Sequence, residues 1–218
     1  EAMHEATRTN YTSDGDFLLK YQVNHMFVRY VLWNFVGSEG DWQDAGVSWK
    51  QTYAIPFLLG LFGIFYHFKK DWKMGLVFMS GFIIMGIVLD LYQNQQEPQP
   101  RERDYFYVGA YYVLALWIGV GVAGLAGLLR DALRQAYKPA VLGLLAVSAV
   151  AAPVNLIRIN WHDHDRSQNY VAWDYSYNLL QSCEPNGVLF TNGDNDTFPL
   201  WYLQDVEGVR RDVRIVNL

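Results

Sequence analysis

The chain has 218 residues, of which 51% are hydrophobic and 18% are charged, and its formal net charge is -5. This acidic balance excludes a nucleic-acid-binding protein, because no dense basic face is available to neutralise phosphates. Cys183 is the only cysteine in the sequence, which excludes an intrachain disulfide.

The first predicted element is an amphipathic helix in the segment 1–51, which we expect to lie outside the membrane or at its surface. Residues 17–37 are aromatic and apolar, but Lys20, His25 and Arg29 interrupt them. A clean membrane span would not carry three such interruptions, whereas a helix lying in the membrane interface would.

Four long uncharged runs follow within residues 52–157. They cover residues 52–68, 74–92, 105–129 and 139–157, and the second contains Asp90 near its end. A membrane-crossing helix needs about 20 mostly apolar residues. Buried helices of a soluble protein are the alternative, but four such runs in one short chain favour an α-helical polytopic membrane protein with about four spans.

Charges in the short loops predict the orientation of these spans. Lys69, Lys70 and Lys73 follow the first run, and further basic residues follow the third run at Arg130 and Arg134. Positive charge in short loops marks the cytoplasmic side. We therefore expect residues 1–51, the loop before Tyr105 and everything after Arg158 to lie on the non-cytoplasmic side.

Residues 158–218 read as the start of an α/β domain. We predict a helix from a cap at Ser167 to about Ser182, a strand at "VLF", a second helix ending before Gly208, and a second strand at "VRIVNL". Strand, helix and strand in this order predict a parallel pair. Because the sequence begins with Glu1 and ends within a strand, we expect a piece of a longer protein.

The loop "QEPQPRERDYFY" holds the first candidate site. Arg101 and Arg103 are suited to bind a phosphate by paired hydrogen bonds, and Glu102 or Asp104 could orient them or act on a proton. The alternative is a solvated loop whose charges pair with each other. Asp90 is a further catalytic candidate because ionised groups are costly within a span, unless it lies just outside the hydrocarbon.

Two further clusters follow the last span. His162 and His164, with Asp163 and Asp165 as oxygen donors, could bind a divalent metal. Neighbours in an extended segment point to opposite faces, however, and a polar hinge is the alternative. Asp194, Asn195 and Asp196 follow a strand and open a helix, a position suited to sugar hydroxyls. The alternative at this second cluster is an ordinary helix cap, with Asp196 or Thr197 as the capping residue.

Four stretches carry a resemblance to a known family: residues 21–37, 100–119, 160–186 and 188–218, the last reading "VLFTNGDNDTFPLWYLQDVEGVRRDVRIVNL". They resemble the large bacterial inner-membrane proteins designated a domain of unknown function, which are related to the eukaryotic endomembrane protein O-mannosyltransferase. The resemblance implies a multi-pass glycosyltransferase of the GT-C type. Such an enzyme moves a sugar, such as mannose, from a polyprenyl-phosphate carrier to hydroxyl groups of an acceptor protein in the periplasm.

The resemblance also implies that the principal catalytic acid lies in an external loop for which this sequence offers no counterpart. The role of that acid is therefore not assigned to Asp90 or Asp104, which stay secondary catalytic candidates. The donor substrate is the lipid-linked sugar, and a divalent metal is the one cofactor that the sequence leaves open. The competing interpretation is a non-catalytic scaffold or accessory subunit that binds other components of an envelope or secretion assembly. A transporter is disfavoured because its helices would be broken and charged in mid-span.

Overall fold

A computed structural model describes residues 11–40, 42, 44–95, 97, 99 and 101–218, with the backbone alone at positions 136 and 163. The chain forms two compact units, Glu1–Asn160 and Trp161–Leu218.

Helix α1 is the first helix in the described part of the chain, and it lies within the segment that was predicted to be an amphipathic helix. It begins as α-helix at Asp14–Phe17, continues with wider π-helical winding over Leu18–Val28, and ends as α-helix at Arg29–Phe35. The Ser13 hydroxyl caps its start by accepting a hydrogen bond from the Asp16 amide at 3.2 Å. Such long π-helical winding is rare, and π-helical turns are frequent at functional sites.

Four further long helices follow α1 in the part of the chain that the structure describes up to residue 164. Helix α2 covers Ile55–Lys70, and α3 covers Trp72–Gln93 with a π-helical stretch at Ile84–Val88. Helix α4 covers Asp104–Leu133, opening with one 3₁₀ turn. After a short 3₁₀ segment, α5 runs over Tyr137–Ala149, the π-helical Val150–Val154 and Asn155–His164.

Three helices among the described residues are long and apolar enough to cross a membrane: Trp72–Gln93, Asp104–Leu133 and Tyr137–His162. They correspond to three of the four predicted runs. The remaining run forms α2, whose 16 residues span about 24 Å at 1.5 Å per residue. Because a hydrocarbon core is about 30 Å thick, α2 alone is shorter than a full crossing.

Helices α2 and α4 run parallel and touch along their backbones. Gly63 of α2 faces the carbonyl of Trp117, where an added Cβ would lie 1.8 Å from the oxygen. Gly121 of α4 faces the carbonyl of Leu59 in the same way, at 2.3 Å. Small residues permit this close approach between helices in lipid.

Along α4, Gly119, Ala123 and Gly127 recur every four residues, a pattern typical of close helix packing, but of the three only Gly127 lies near α2, where its Cβ would be 3.5 Å from the Tyr66 hydroxyl. A Cβ at Gly119 would meet nothing within 4 Å, and Ala123 is exposed. Gly121 and Gly124 are the buried glycines of α4. Glycines on α4 lie on more than one face of the helix. Which of these faces packs closely is determined by the partner helix, here α2.

The core of the first unit lies between α1 and the first half of α4. The buried apolar side chains of α1 and α4 in this core are Tyr21, Met26, Phe27, Tyr30, Val31, Phe35, Tyr107, Ala110, Val113, Leu114 and Trp117. Asp44 and Glu102, which belong to two different loops, lie at this same end of the helices, while Lys70 and Arg130 lie together at the opposite end.

The second unit contains two helices and a two-stranded parallel sheet. Helix α6 covers Val171–Gln181, β1 Val188–Thr191, α7 Asp194–Asp205 and β2 Arg214–Asn217. The strands pair in parallel from Val188 opposite Arg214 to Thr191 opposite Asn217, which confirms the predicted strand, helix and strand order. Four side chains form its core: Leu180, Leu200, Leu203 and Val213.

The predicted start of α6 at Ser167 is wrong, because the helix begins at Val171. The Ser167 amide donates to the Asp165 carboxylate at 2.9 Å, and the Val171 amide donates to the Asn169 side chain at 3.3 Å. These local hydrogen bonds hold turns that compete with the first turn of a helix.

Candidate functional site

The carboxylate of Glu102 is the centre of a polar cluster where α1 meets the loop before α4. Arg29 donates to both of its oxygens, from Nη1 at 3.3 Å and from Nη2 at 2.9 Å. The Tyr30 hydroxyl makes a short hydrogen bond to Oε2, and the Asp44 amide donates to Oε1 at 2.5 Å. One carboxylate therefore ties together three segments that are distant in the sequence.

This ion pair is largely withdrawn from solvent. The side chains of Arg29 and Glu102 are 10% and 21% exposed. Burial alone would raise the pKa of Glu102, but the hydrogen bonds from Arg29, Tyr30 and the Asp44 amide outweigh it and hold the pKa below its ordinary value of 4.5. Burial and the hydrogen bond to Glu102 raise the pKa of Tyr30. Glu102 is thus ionised and Tyr30 neutral at physiological pH.

Arg29 is itself held from three directions. Its Nε donates to the His25 carbonyl at 3.0 Å. Its guanidinium carbon lies 4.5 Å from the ring centre of Tyr30 and 4.6 Å from that of Trp33. A cation over aromatic rings is attracted by their electron-rich faces, so the direction in which Arg29 meets Glu102 is fixed in advance.

The segment around Asp44 closes the cluster on its outer side. The His25 Nε2 and the Asp44 Oδ1 lie 3.0 Å apart. The Trp33 indole donates to the Ala45 carbonyl at 3.0 Å, and the ring of Tyr21 stacks on His25 at 5.3 Å between centres. The loop after α1 is therefore bound back onto α1, beside Glu102.

Arg101 and Arg103 flank Glu102 in the sequence, but their side chains make none of the hydrogen bonds of its carboxylate. The Arg103 amide donates to the Tyr30 hydroxyl at 3.1 Å, and its side-chain Nε is buried without a hydrogen-bond partner among the described residues. Arg101 is exposed, with its guanidinium 6.0 Å from the ring centre of Tyr105. Within the described chain neither arginine forms an ion pair, so neither positive charge is neutralised there.

An open groove of about 400 Å³ runs along α1 next to this cluster. Its lining includes Lys20, Tyr21, His25, Arg29, Val47 and Glu97. The Lys20 ammonium is 66% exposed and lies 2.8 Å from Asp16. The groove therefore combines charged groups of both signs with aromatic and aliphatic walls, and Lys20, His25 and Arg29 each lie against an acid, namely Asp16, Asp44 and Glu102.

Asp90 lies apart from the groove, in the interior of the first unit. It is fully buried, and the Tyr107 hydroxyl donates to its Oδ1 at 2.8 Å. Its Oδ2 is buried and has no hydrogen-bond partner within the described chain. Asp104, the other catalytic candidate, opens the 3₁₀ turn of α4 and is half-buried. Only Asp104 of the two is near Arg101 and Arg103.

The histidines after the last span lie on a helix and not in an extended segment. His162 and His164 belong to the last turn of α5, and side chains two positions apart on a helix do not face each other. The side chain of Asp163, a suggested oxygen donor, lies outside the described residues. The described residues contain no group of three or more potential metal ligands.

Asp194, Asn195 and Asp196 form the first turn of α7 at the carboxyl end of the two strands. The predicted cap at Asp196 or Thr197 is wrong, because Gly193 precedes the first helical residue with a φ of 89° that favours glycine. The Gly193 amide donates to the Asn217 side chain at 3.1 Å. The polar first turn is thus anchored to the end of β2.

The residues that sequence reasoning missed are His25, Arg29, Tyr30 and Asp44. The available signal was the interruption of an aromatic helix by His25 and Arg29, four positions apart and so on one face. That signal was assigned to the membrane interface, although the partner of Arg29 lies 73 residues further along the chain. No local pattern gives that distance.

Comparison with known proteins gives one match, in the second unit. Residues 172–218 match the family model described as TMEM260-associated domain 2. No curated protein and no solved structure matches the chain. The similarity covers α6, both strands and α7 except for the first residue of α6.

Proposed function

We propose that this chain is part of a membrane glycosyltransferase that moves a sugar, such as mannose, from a polyprenyl-phosphate carrier to protein hydroxyl groups. The observation that carries the proposal is the match of residues 172–218 to TMEM260-associated domain 2. The sequence also resembles inner-membrane proteins that are related to the eukaryotic endomembrane protein O-mannosyltransferase, as described above. The match occurs in a chain with three helices able to cross a membrane, as an enzyme with a lipid-linked donor requires.

In this proposal α2 is a fourth crossing. It is too short alone, but it runs parallel to α4 in backbone contact, and its basic end at Lys69 and Lys70 lies beside Arg130. A short span is accommodated by local thinning of the bilayer and by flanking residues that reach the interface. Four crossings in a bacterial inner membrane would leave the Glu102 cluster and residues 161–218 in the periplasm.

Arg101 and Arg103 are the proposed ligands of the carrier phosphate. Glu102 is occupied by Arg29, so it does not neutralise its two neighbours. The cluster instead anchors the loop that carries both guanidinium groups, through Glu102 itself and through the Arg103 amide, which donates to the Tyr30 hydroxyl. Fixed positive charge where a phosphate leaves stabilises the charge that develops in the transition state.

The remaining roles are divided between the two units. Asp104 is the acid of the loop that can accept a proton near the phosphate, while buried Asp90 supports the structure through Tyr107. Asp194, Asn195 and Asp196 offer carboxylate and amide groups to the hydroxyls of a sugar or an acceptor side chain. The acidic residue that would serve as the principal catalytic base belongs to the external loop that the family resemblance implies.

The proposal is tested with the full-length protein, a polyprenyl-phosphate sugar and an acceptor protein, by following glycosylation with mass spectrometry. We expect Arg101→Ala to reduce transfer at least 100-fold, in line with the loss of one stabilising group in a transition state. Lys50→Ala removes the same charge from an exposed position at the same end of the molecule and should leave transfer unchanged.

Equal transfer by the Arg101→Ala variant and the native protein would rule out the phosphate role of Arg101. No transfer by the native protein with any polyprenyl-phosphate sugar would favour the non-catalytic scaffold.

A further inference from the structure

A second groove system lies at the other end of the first unit, far from the Glu102 cluster. One cavity of about 480 Å³ lies between α2, α4 and α5, and its lining includes Tyr66, Lys70, Gly127, Arg130 and Tyr137. A second cavity of about 340 Å³ is lined by Phe62, Phe65, Tyr66, Lys69, Lys70 and Leu128. Tyr66 and Lys70 line both cavities, so the two lie side by side.

The walls of these cavities are apolar and the basic groups lie at one end. Phe62, Phe65 and Leu128 line the smaller cavity, and Gly127 gives the larger one depth because its missing side chain leaves room near the Tyr66 hydroxyl. The Lys70 ammonium lies 5.9 Å from the ring centre of Tyr66. An apolar cavity with cations at one end is suited to a lipid, which has an apolar acyl chain and an anionic headgroup.

The charge balance at this end is strongly positive. Six basic residues belong to the two segments 66–73 and 130–138, at Lys69, Lys70, Lys73, Arg130, Arg134 and Lys138. The same segments hold two acids, Asp71 and Asp131. Asp71 caps α3 through the Met74 amide at 3.1 Å, and Asp131 pairs with Arg130 in an exposed contact of 3.2 Å. Such an exposed pair is weak, so a phosphate can compete for Arg130.

Helix α5 leaves the larger cavity accessible to lipid. None of the most apolar stretch of Tyr137–His162 is buried against the protein, so its surface in a bilayer faces lipid chains. Basic pockets between membrane helices on the cytoplasmic side bind anionic headgroups.

We propose that the paired cavities around Tyr66 and Lys70 are a binding site for an anionic glycerophospholipid. Its phosphate lies between Lys70 and Arg130, and its acyl chains occupy the apolar cavities on either side of Tyr66. The site is separate from the proposed donor site, because it lies at the opposite end of α2 and α4.

The test uses the full-length protein in neutral detergent, with bound lipid counted by native mass spectrometry. Phosphatidylglycerol is titrated against phosphatidylcholine, with inorganic phosphate as competitor. We expect phosphatidylglycerol to bind more tightly, and K70Q/R130Q to weaken it by about 30-fold. The matched control K73Q/R134Q removes the same charge from residues that do not line the cavities and should weaken binding about threefold or less.

Equal losses in the two double variants would overturn the site, because they would show attraction to a diffuse basic surface. Equal binding of both lipids, or displacement by millimolar inorganic phosphate, would overturn it as well. A phosphatidylglycerol with a photoreactive acyl chain provides a test in native membranes without any variant. Crosslinks concentrated on the peptides around Tyr66 and Tyr137 support the proposal, and crosslinks spread over α3 and over α5 beyond Val150 contradict it.

Discussion

At the scale of single residues, Glu102 organises the most polar part of the first unit. It accepts from Arg29, Tyr30 and the Asp44 amide, and truncating one member of a buried ion pair leaves the other charge uncompensated. The sequence did not distinguish Glu102 from Asp104, a second acid of the same loop. Only the three-dimensional contact with α1 does so.

We expect Glu102→Gln to destabilise the protein by about 2 kcal/mol, because Arg29 loses its charged partner while remaining 10% exposed. Thermal unfolding in detergent measures the change. A cycle with Arg29→Met should give a coupling of about 1 kcal/mol or more. The control Lys20→Gln removes an ion pair whose lysine is 66% exposed and should produce no measurable change.

The same variant has a pH signature. The folded-state pKa of Glu102 lies below the ordinary value of 4.5, so its contribution to stability is complete above about pH 4.5 and is lost as the pH falls through the folded pKa. The native protein should therefore lose stability below pH 4.5 more steeply than Glu102→Gln. Parallel curves for the two proteins would contradict the assigned role.

At the scale of helices, α2 and α4 approach each other closely enough for their backbones to touch. This contact depends on Gly63 and Gly121, which face backbone carbonyl groups that cannot move aside as a flexible side chain can. A glycine at these positions loses more conformational entropy on folding than any other residue. It nevertheless permits a distance between the two helices that a side chain would prevent.

Gly121→Ala should destabilise the helix pair by about 2 to 3 kcal/mol, since its Cβ would lie 2.3 Å from the Leu59 carbonyl oxygen. Gly119→Ala is the matched control in the same helix, because its Cβ meets nothing within 4 Å. It should be neutral or stabilise the protein by up to about 1 kcal/mol. Thermal unfolding of both variants in one detergent decides between them, and equal effects would refute the contact.

The apolar runs predicted the positions of α2 to α5 within a few residues, because length and lack of charge are properties of the local sequence. They did not predict the π-helical stretches at Leu18–Val28, Ile84–Val88 and Val150–Val154. Composition alone does not distinguish five-residue from four-residue hydrogen-bond spacing. The face of α4 that meets α2 was missed for a related reason, since it depends on the partner.

At the scale of the whole molecule, the loop charges predict which side of the membrane each segment faces. Single cysteines introduced in a Cys183→Ser background test this in spheroplasts with a membrane-impermeant maleimide. We expect Lys50→Cys and Ser182→Cys to react in intact spheroplasts, and Lys73→Cys to react only after lysis, because positive short loops remain in the cytoplasm. Reaction of Lys73→Cys before lysis would reverse the orientation and remove the Glu102 cluster from the periplasm.

The sequence predicted more of the structure of the second unit than of the polar cluster in the first unit. The parallel strands Val188–Thr191 and Arg214–Asn217 were predicted in their order because alternating strand and helix patterns determine a parallel pair. The polar cluster of the first unit was only half predicted, since Glu102 was a candidate and Arg29 was not. An ion pair across 73 residues is a property of the fold as a whole.

The backbone contact of α2 with α4 also has a mechanical consequence. The Leu59 and Trp117 carbonyl groups occupy the space beside Gly121 and Gly63, so neither helix can slide or turn past the other without breaking the contact. We therefore expect the two to move together as a rigid strut. A displacement of the loop that carries Arg101 and Arg103 would then be transmitted along both helices. It would change the width of the paired cavities around Tyr66 and Lys70 at their other end.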